Sequence, residues 1–292
     1  MKIIVNPAAA GGRLGREWPR LEKKLVENGL EATTVLTEAP GHATDLASAA
    51  IADGVERIIV AGGDGTICEA VEGLHRAGSG ELAILPLGTG NDAARTLGIP
   101  LDLEGAVRAA LNGCTRSVDL IRVGDRVVFN AIGVGMTGDI NQRAVKIKMV
   151  RGIVVYLMAA VSSLFRYRMQ MVRVVADGHE YSGSMLILAV HGGPTTGGGF
   201  ALTPPAVPDD GMLDACLVPE VNVVGRLVRL VAAMGGTLGR KRGTLELQAP
   251  WLELHFGRPL PAHLDGNSVT LEPPMVRFEV LPGALKVVVP AD

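Results

Sequence analysis

Residues 57–71 read RIIVAGGDGTICEAV, and this stretch decides the fold of the first part of the chain. RIIVA is short, apolar and β-branched, as is typical of a buried parallel strand. The apolar residues that follow, Ile67, Ala70, Val71 and Leu74, recur at helical spacing. Three glycines therefore separate a strand from a helix, where unpaired N–H groups and the helix dipole favour a phosphate.

Asp64 is unexpected in such a turn, because its carboxylate would repel a bare phosphate. A Mg²⁺ ion between the two groups would remove the conflict; a tight turn with a solvated aspartate is the alternative. Residues 82–98, LAILPLGTGNDAARTLG, repeat the layout with Gly88, Gly90 and then Asn91 and Asp92. Asn91 or Asp92 would also suit a helix N-cap. Because ends of parallel strands share one sheet edge, we expect Asp64 and Asp92 to face one cleft.

The pattern of elements predicts two domains. Strands and helices alternate over the first third of the chain, which favours a parallel sheet with helices on both faces. From about residue 117, hairpins and short strands predominate, with helices at about 139–165 and 222–234. We predict an α/β nucleotide-binding domain over residues 1–120 and a mostly antiparallel, sandwich-like β domain over residues 121–292. The last strand could return to the first domain.

Composition restricts the classes of partner. The 292 residues include 28 basic and 30 acidic ones, a net charge of −2, so bulk electrostatics predicts no nucleic-acid partner. Cys68, Cys114 and Cys216 are far apart and predict free thiols in a reducing cytoplasm. No signal-peptide pattern is visible, and the longest apolar stretch, residues 153–165, is too short to span a bilayer. We expect a cytoplasmic protein without a transmembrane segment.

Two standard nucleotide motifs are absent or weak. No GxxxxGK[ST] sequence occurs, so the chain has no Walker-type P-loop. Gly88-x-Gly90-x-x-Ala93 resembles a dinucleotide fingerprint, but it follows the fourth predicted strand rather than the first. A further loop, NPAAAGG, follows the first strand; Asn6 can hydrogen-bond across that turn. Arg13 could neutralise a phosphate or be an ordinary solvated arginine.

Several motifs together resemble the diacylglycerol kinase-like family, which includes bacterial lipid kinases, sphingosine kinases and ceramide kinases. NP…GG, GGDGT, PLGTGND, FNAIGVG, GGGFALTPPAVPDDGMLD and HLDGN occur in the family's order. GGDGT alone is shared with NAD kinases, whereas PLGTGND with DDGxLD is more specific to lipid kinases. The resemblance covers most of the chain and implies a nucleotide-binding domain, a β-rich domain and a cleft between them.

The expected ATP and Mg²⁺ site combines residue chemistry with this resemblance. Glycine loops can approach a triphosphate because they lack Cβ atoms, and threonine hydroxyls can bind phosphate or ribose. Asp64 and Asp92 would hold Mg²⁺ directly or through water. The family positions add Asn6, Thr37 and Glu69, and Arg13 stands about where relatives often carry a basic residue. The candidate nucleotide-binding residues are Asn6, Arg13, Thr37, Gly62, Gly63, Asp64, Gly65, Thr66, Glu69, Gly88, Thr89, Gly90 and Asn91.

The second half carries two family segments. HLDGN, residues 263–267, corresponds to an Asp-Gly-Glu motif that supplies a catalytic carboxylate, but Asn267 stands in place of the glutamate. Asp265 is then the candidate general base; a surface hairpin is the alternative. PDDGMLD resembles a segment that binds a structural Mg²⁺, which would involve Asp210 and the carbonyls of Val207 and Met212; an ordinary turn is the alternative.

Two stretches could contact a membrane. The apolar helix GIVVYLMAAVSSLF has basic flanks, namely Lys146, Lys148, Arg151, Arg166 and Arg168. Because it is apolar nearly all round, a buried core helix is the favoured interpretation. The basic tripeptide at residues 240–242 could touch anionic head groups or form a solvated turn.

The sequence predicts an ATP- and Mg²⁺-dependent lipid kinase acting peripherally at the inner membrane face, with a diacylglycerol-like acceptor. It could form a homodimer. One alternative keeps the nucleotide site but uses a soluble acceptor such as NAD. Another, motivated by Asn267, is a nucleotide-binding protein with weak or no turnover.

Overall fold

The computed structural model describes residues 1–146 and 153–291, which form two compact units. The first unit contains Met1–Val118 together with the segment that starts at Gly283, and the second contains Asp119–Pro282. The end of the chain thus belongs to the first unit, a possibility that the sequence left open.

The first unit alternates strands and helices. Its elements are β1 (Lys2–Val5), α1 (Ala9–Glu27), β2 (Thr33–Leu36), α2 (His42–Ala52), β3 (Arg57–Gly62), α3 (Asp64–Ala77), β4 (Glu81–Pro86), α4 (Asp92–Thr96) and α5 (Leu103–Asn112). β1 pairs in parallel with β2 and β3, and β3 pairs in parallel with β4, which gives the order β2-β1-β3-β4. The order reverses between β1 and β3, which is where open α/β sheets bind ligands.

Helix α1 has an irregular first turn and a regular glycine stop at its other end. Its first turn contains non-helical residues, because Ala10, Gly11 and Gly12 all have positive φ angles. At its other end Gly29 has φ +84°, the conformation typical of a glycine that ends a helix. Trp18 and Leu25 on α1 are buried, whereas Val26 is 51% exposed and is not part of the core.

The second unit is mostly antiparallel, as predicted. β5 spans Cys114–Val123, and the next elements are β6 (Arg126–Val128), β7 (Ala131–Gly135), α6 (Met136–Lys146), α7 (Ile153–Arg166), β8 (Gln170–Ala176) and β9 (His179–His191). Then come β10 (Thr195–Thr196), β11 (Phe200–Ala201), β12 (Leu213–Pro219), α8 (Val223–Met234), β13 (Leu245–Ala249), β14 (Trp251–Phe256), β15 (Leu260–Leu264), β16 (Asn267–Leu271) and β17 (Met275–Val289). Hairpin turns at Gly124-Asp125 and Asp177-Gly178 join β5 to β6 and β8 to β9.

The long strand β9 organises this unit, because it pairs antiparallel with β7, β8 and β12. One face of these strands contributes side chains such as Ile132, Val174 and Val190 to a buried core. The opposite face of these strands packs against helices. The helix residues buried there include Leu164 on α7 and Ala232 on α8. Alternation along each strand thus produces two apolar layers, one of them covered by helices.

One prediction about the C-terminal strands is wrong. The sequence predicts separate strands MVRFEVLPG and ALKVVV, whereas the structure has one strand, β17. Its first residues pair antiparallel with β14, and Lys286 and Val287 pair in parallel with Glu81 and Leu82 of β4. Gly283, with φ +60°, lies between the two pairings. The Pro-Gly dipeptide therefore marks the point where β17 changes its pairing strand, not the end of a strand.

The favoured interpretation of α7 as a buried core helix holds for one face of the helix only. Ala159 and Leu164 are buried, but Met158, Val161 and Phe165 are 49%, 47% and 70% exposed. Lys148 and Arg151, predicted as its basic flank, lie outside the described residues. Among the described residues, no helix is both long and apolar enough to cross a membrane.

Candidate functional site

Asn6, immediately after β1, connects the NPAAAGG loop to the GGDGT loop. Its Nδ2 donates to the hydroxyl of Thr66 in the first turn of α3 at 2.8 Å, and its Oδ1 accepts from the Ala8 N–H at 2.9 Å. Thr66 is 6% exposed, so its hydroxyl joins two loops rather than facing solvent. Asn6 therefore makes the cross-turn hydrogen bond that the sequence predicts.

The GGDGT loop and the GTGND loop lie against each other. A Cβ atom on Gly88 would lie 2.3 Å from the Cα of Gly63, so only glycine fits at this approach. Asn91 has φ +56°, and its side chain accepts from the Gly88 N–H and donates to the Pro86 carbonyl, both at 3.0 Å. The side chain of Asn91 thus folds back over its own loop and makes no N-cap hydrogen bond to α4.

The two loops bring Asp64 and Asp92 together. Asp64 Oδ1 accepts from the Ala93 N–H, next to Asp92, at 3.0 Å. Burial raises the pKa of Asp64, the Ala93 hydrogen bond opposes this, and the negative charge of Asp92 raises it further. Asp92 is itself 4% exposed and lies 3.7 Å from Arg95 Nη1. Two acidic side chains therefore repel each other in a largely desolvated position.

This pair fits a magnesium ion. Mg²⁺ prefers oxygen ligands, keeps several waters, and is usually held by one or two carboxylates together with substrate phosphates. The described part of the chain contains no group of three or more His, Cys, Asp or Glu residues able to form an all-protein cage. A cation would offset the repulsion that raises the pKa of Asp64.

The other candidate nucleotide residues occupy varied positions in the first unit. Thr37 follows β2 and is 9% exposed, and its N–H donates to the Val5 carbonyl at 2.8 Å. Glu69 on α3 is partly committed to α2: Oε2 accepts from the Ala43 N–H at 3.3 Å. Arg13 and Thr89 are exposed and available to a ligand. Gly62 and Gly65 belong to the GGDGT sequence, and Gly90 belongs to the GTGND sequence.

Thr44 is a residue of this region that the sequence did not single out. It is buried, and its hydroxyl donates to the Glu69 carbonyl at 2.9 Å. A Cβ on Gly73 would lie 2.3 Å from the Thr44 carbonyl oxygen, so α2 and α3 approach closely. No local sequence signal predicts this contact, because it joins two helices across the fold.

Asp265, in the second unit, is buried rather than on the surface, so the alternative of a surface hairpin is wrong. It is 6% exposed and has φ +44°. Its carboxylate accepts hydrogen bonds from three consecutive backbone N–H groups, those of Phe129, Asn130 and Ala131, at 2.9, 3.0 and 2.6 Å. Successive N–H groups of this kind form an anion-binding nest.

The nest fixes the position of the predicted general base. Backbone N–H groups hold both oxygens of the Asp265 carboxylate in place. Asn267, where the family motif has a glutamate, is the first residue of β16 and is half-buried. The HLDGN turn therefore holds one carboxylate firmly and lacks a second one.

Two buried histidines beside this turn were not anticipated. His263 Nδ1 and His191 Nε2 have no hydrogen-bond partner in the described part of the chain, while His191 Nδ1 lies 2.8 Å from Thr203 Oγ1. Burial lowers the pKa of His191 to about 3 and that of His263 to about 4. A histidine at the end of a buried strand was the only signal, and it does not separate a core residue from a functional one.

We expect these histidines to make the fold sensitive to mild acid. In each, the folded pKa lies below the unfolded value near 6.5, so the unfolded chain binds more protons as pH falls from 7 to 5. Each neutral histidine should then reduce the free energy of unfolding by about 2 kcal/mol over this interval. Denaturant unfolding of His191→Asn should show a loss smaller by that amount than the wild type.

His179→Asn is the matched control, because His179 is exposed at the start of β9. This variant should keep the wild-type dependence on pH. A His191→Asn protein with the same dependence as the wild type would contradict the expectation.

The PDDGMLD segment adopts a turn in the second unit. Asp210 is exposed, and its Oδ1 accepts from the Met212 N–H at 3.0 Å. The buried Asp119, which the sequence did not single out, accepts from the Gly211 N–H at 2.7 Å. Val207 and Met212 are 42% and 38% exposed. Binding of a structural Mg²⁺ by Val207, Asp210 and Met212 stays a prediction.

Comparisons with known proteins agree with this architecture. The diacylglycerol kinase catalytic domain model matches residues 1–123, and the YegS C-terminal NAD kinase beta sandwich-like domain model matches residues 130–289. A Pseudomonas aeruginosa protein named "Probable lipid kinase YegS-like" is 35% identical, over 91% of this chain and 87% of its own. A Pseudomonas syringae pv. syringae protein of the same name is also 35% identical, over 91% and 86%.

A solved structure from Bacillus anthracis str. Sterne, described as a "putative diacylglycerol kinase", has the same fold. It superimposes with a TM-score of 0.81 at 25% identity and covers 99% of this chain and 94% of its own. The resemblance stated from the motifs is therefore confirmed, and so is the two-part α/β and β-sandwich-like architecture.

Proposed function

Because this chain belongs to the family of lipid kinases that carry a diacylglycerol kinase catalytic domain, we propose that it transfers the γ-phosphate of ATP to a lipid hydroxyl. The acceptor would be a diacylglycerol-like lipid, reached at the inner face of the cytoplasmic membrane. The observation that supports this best is the contact between the Gly63 and Gly88 loops, which sets the half-buried Asp64 and the buried Asp92 together at a sheet edge. Such an edge suits a metal-bound triphosphate.

The residues of the first unit would bind and orient the nucleotide. The glycine loops allow backbone N–H groups to approach the phosphates, and the exposed hydroxyl of Thr89 can bind a phosphate or ribose oxygen. The hydrogen bond from Asn6 to Thr66 holds the NPAAAGG loop against the GGDGT loop. Asp64 and Asp92 would hold Mg²⁺, which neutralises charge on the transferred phosphoryl group when bound.

Asp265 is our proposed proton acceptor, although its oxygens already accept hydrogen bonds from three backbone N–H groups. Phosphoryl transfer passes through a loose transition state in most analyses, so it depends on positioning and charge neutralisation more than on a strong base. The nest fixes the carboxylate in one position through the N–H groups of residues 129–131. A slow enzyme rather than an inactive one is the expected result.

Two alternatives concern the acceptor and the turnover. A soluble acceptor such as NAD would use the same nucleotide site, and GGDGT alone is compatible with it. A nucleotide-binding protein with little turnover is favoured by one observation, Asn267 in place of the family's glutamate. Both alternatives keep ATP binding and differ in the product.

One assay separates these functions. The protein is incubated with ATP, Mg²⁺ and either diacylglycerol in mixed micelles or NAD, and both ADP and the phosphorylated acceptor are quantified. The proposal expects phosphorylated lipid with micelles and no product with NAD. ADP release with NAD but not with micelles would show that the acceptor is NAD rather than a lipid. Nucleotide binding without any product would favour a nucleotide-binding protein with little turnover.

Asn267→Glu should increase the rate of lipid phosphorylation by about tenfold or more, since a positioned general base typically contributes 10²–10⁴-fold. The added carboxylate lies two residues from Asp265. It can accept a proton only when it is ionised, so the gain in rate should appear only above the pH at which the glutamate ionises. Asn267→Gln is the matched control, because it adds the same length without charge. Equal rates for the two variants would show that Asn267 does not limit turnover.

A further inference from the structure

Helix α8, Val223–Met234, presents an apolar face to solvent. Its six apolar side chains on this face are between 41% and 69% exposed: Val223, Val224, Leu227, Val228, Val231 and Met234. Several of them recur three or four residues apart, so they form one stripe along the helix. A surface helix of a globular protein normally directs such a stripe toward its core.

The buried face of α8 explains why the helix has this orientation. Arg226 is 8% exposed, and its Nη1 donates to the carbonyls of Leu164 and Tyr167 at 2.8 and 3.0 Å. These carbonyls lie at the C-terminal end of α7, where cations are favoured by the helix dipole. Rotating α8 to bury its valines would leave these groups unpaired, so the outward apolar stripe is built into the fold.

The charge around the stripe is net basic. Residues 220–246 contain five basic residues and two acidic ones, Glu220 and Glu246, a local net charge of +3, although the whole chain carries a net charge of −2. Arg229 on α8 donates through Nη2 to the carbonyl of Arg242 at 2.8 Å, which places the basic tripeptide 240–242 beside the helix. Arg240 and Arg242 are exposed.

Helix α7 adds a second exposed stripe, formed by Met158, Val161 and Phe165. It is followed by two exposed arginines, Arg166 and Arg168. Since Arg226 joins the end of α7 to α8, these residues extend the same combination of exposed apolar and basic side chains.

We propose that the apolar stripe of α8 and the basic residues 240–242, together the α8 surface, dock the protein on an anionic lipid bilayer. An apolar helical face inserts at the acyl boundary, while adjacent Lys and Arg residues attract anionic head groups. A second copy of this chain is a poorer occupant, because a self-complementary pairing would set a net basic surface against itself. This proposal rests on the proposed function, since it supplies the contact through which a bilayer-embedded hydroxyl is reached.

The test is sedimentation of the full chain with vesicles, without nucleotide, so that it does not depend on turnover. Vesicles of phosphatidylcholine alone are compared with vesicles that also contain phosphatidylglycerol. Val224→Gln/Val231→Gln should lower the partition coefficient on anionic vesicles about tenfold or more, because two apolar side chains are lost from the contact. Arg240→Gln/Arg242→Gln should lower it about fivefold per charge, and only on the anionic vesicles.

Val26→Gln/Leu101→Gln is the matched control, because it removes two exposed apolar side chains from the first unit. All variants are monitored by thermal unfolding, which surface changes should leave nearly unaltered. Equal binding by the α8 variant and the control, or wild-type binding that ignores phosphatidylglycerol, would overturn the proposal. So would an α8 variant that changes oligomeric state in gel filtration but not vesicle binding, because a second copy would then cover this face.

Phosphotransfer to a short-chain, monomeric diacylglycerol separates this proposal from the proposed function. An α8 variant that retains this soluble activity but loses vesicle binding supports docking alone. A wild type that binds anionic vesicles through the α8 surface but phosphorylates no lipid keeps the docking surface and removes the kinase assignment.

Discussion

Asp64→Asn should reduce lipid phosphorylation by about 10³-fold, or about 4 kcal/mol in the activation free energy, while leaving the protein folded. The substitution keeps an oxygen that can accept from the Ala93 N–H, so the contact between the two glycine loops is preserved. What it removes is the negative charge that would share Mg²⁺ with Asp92. The initial rate at saturating ATP, measured over a range of Mg²⁺ concentrations, is the direct readout.

The stability of Asp64→Asn should change in the opposite direction from its activity. Burial and the charge of Asp92 raise the pKa of Asp64, so its ionised form is unfavourable in the ligand-free fold. A neutral, nearly isosteric amide should therefore unfold at the same denaturant concentration as the wild type or at a higher one. Asp45→Asn, at an exposed position on α2, is the matched control and should change neither property.

Retention of most of the rate by Asp64→Asn would remove this carboxylate from the catalytic site. A loss of rate accompanied by a loss of stability would instead assign Asp64 to the fold. Function and stability moving in opposite directions is the result that identifies a site organised around a cation that the protein itself does not supply.

The convergence of the glycine loops could be predicted from sequence because each step is local. RIIVA and LAILP identify buried strands, the glycines mark where those strands end, and parallel strands place such ends at one edge. The hydrogen bond from Asn6 to Thr66 and the close approach of Gly63 to Gly88 then follow from neighbouring strands. Here pattern, turn chemistry and topology agree, which is when sequence reasoning succeeds.

The surroundings of the HLDGN turn could not be predicted in the same way. Asp265 binds N–H groups more than 130 residues earlier in the chain, and Asp119 binds Gly211 across 92 residues. The Asp-Gly dipeptide looks the same whether solvent or a nest surrounds it, so local chemistry favours neither environment. The orientation of α8 could not be predicted for a related reason. The hydrogen bonds of the buried Arg226 determine which face of the helix is buried, although the apolar periodicity favours the opposite face.

The second large effect is expected for Asp265→Ala, which should lower the free energy of unfolding by about 4 kcal/mol. The substitution leaves the N–H groups of Phe129, Asn130 and Ala131 without their charged acceptor. It also places alanine at φ +44°, a left-handed conformation that costs roughly 1–2 kcal/mol for residues other than Gly, Asn and Asp. Equilibrium unfolding in urea gives this quantity directly.

Asp177→Ala is the matched control for Asp265→Ala, because Asp177-Gly178 is the same dipeptide in the hairpin between β8 and β9. Asp177 is exposed, so its replacement should change stability by no more than about 0.5 kcal/mol. Equal stabilities of the two alanine variants would show that the nest does not hold the fold together.

Asp265→Asn separates the structural role of Asp265 from proton transfer. Asparagine tolerates the left-handed conformation and keeps one acceptor oxygen, so it should lose about half of the stability lost by alanine. It cannot accept a proton, so a base at this position requires the rate to fall below the wild-type value even where both proteins are fully folded. If the folded asparagine variant keeps the wild-type rate, Asp265 acts by holding residues 129–131 in place, and the acceptor hydroxyl loses its proton without help from this carboxylate.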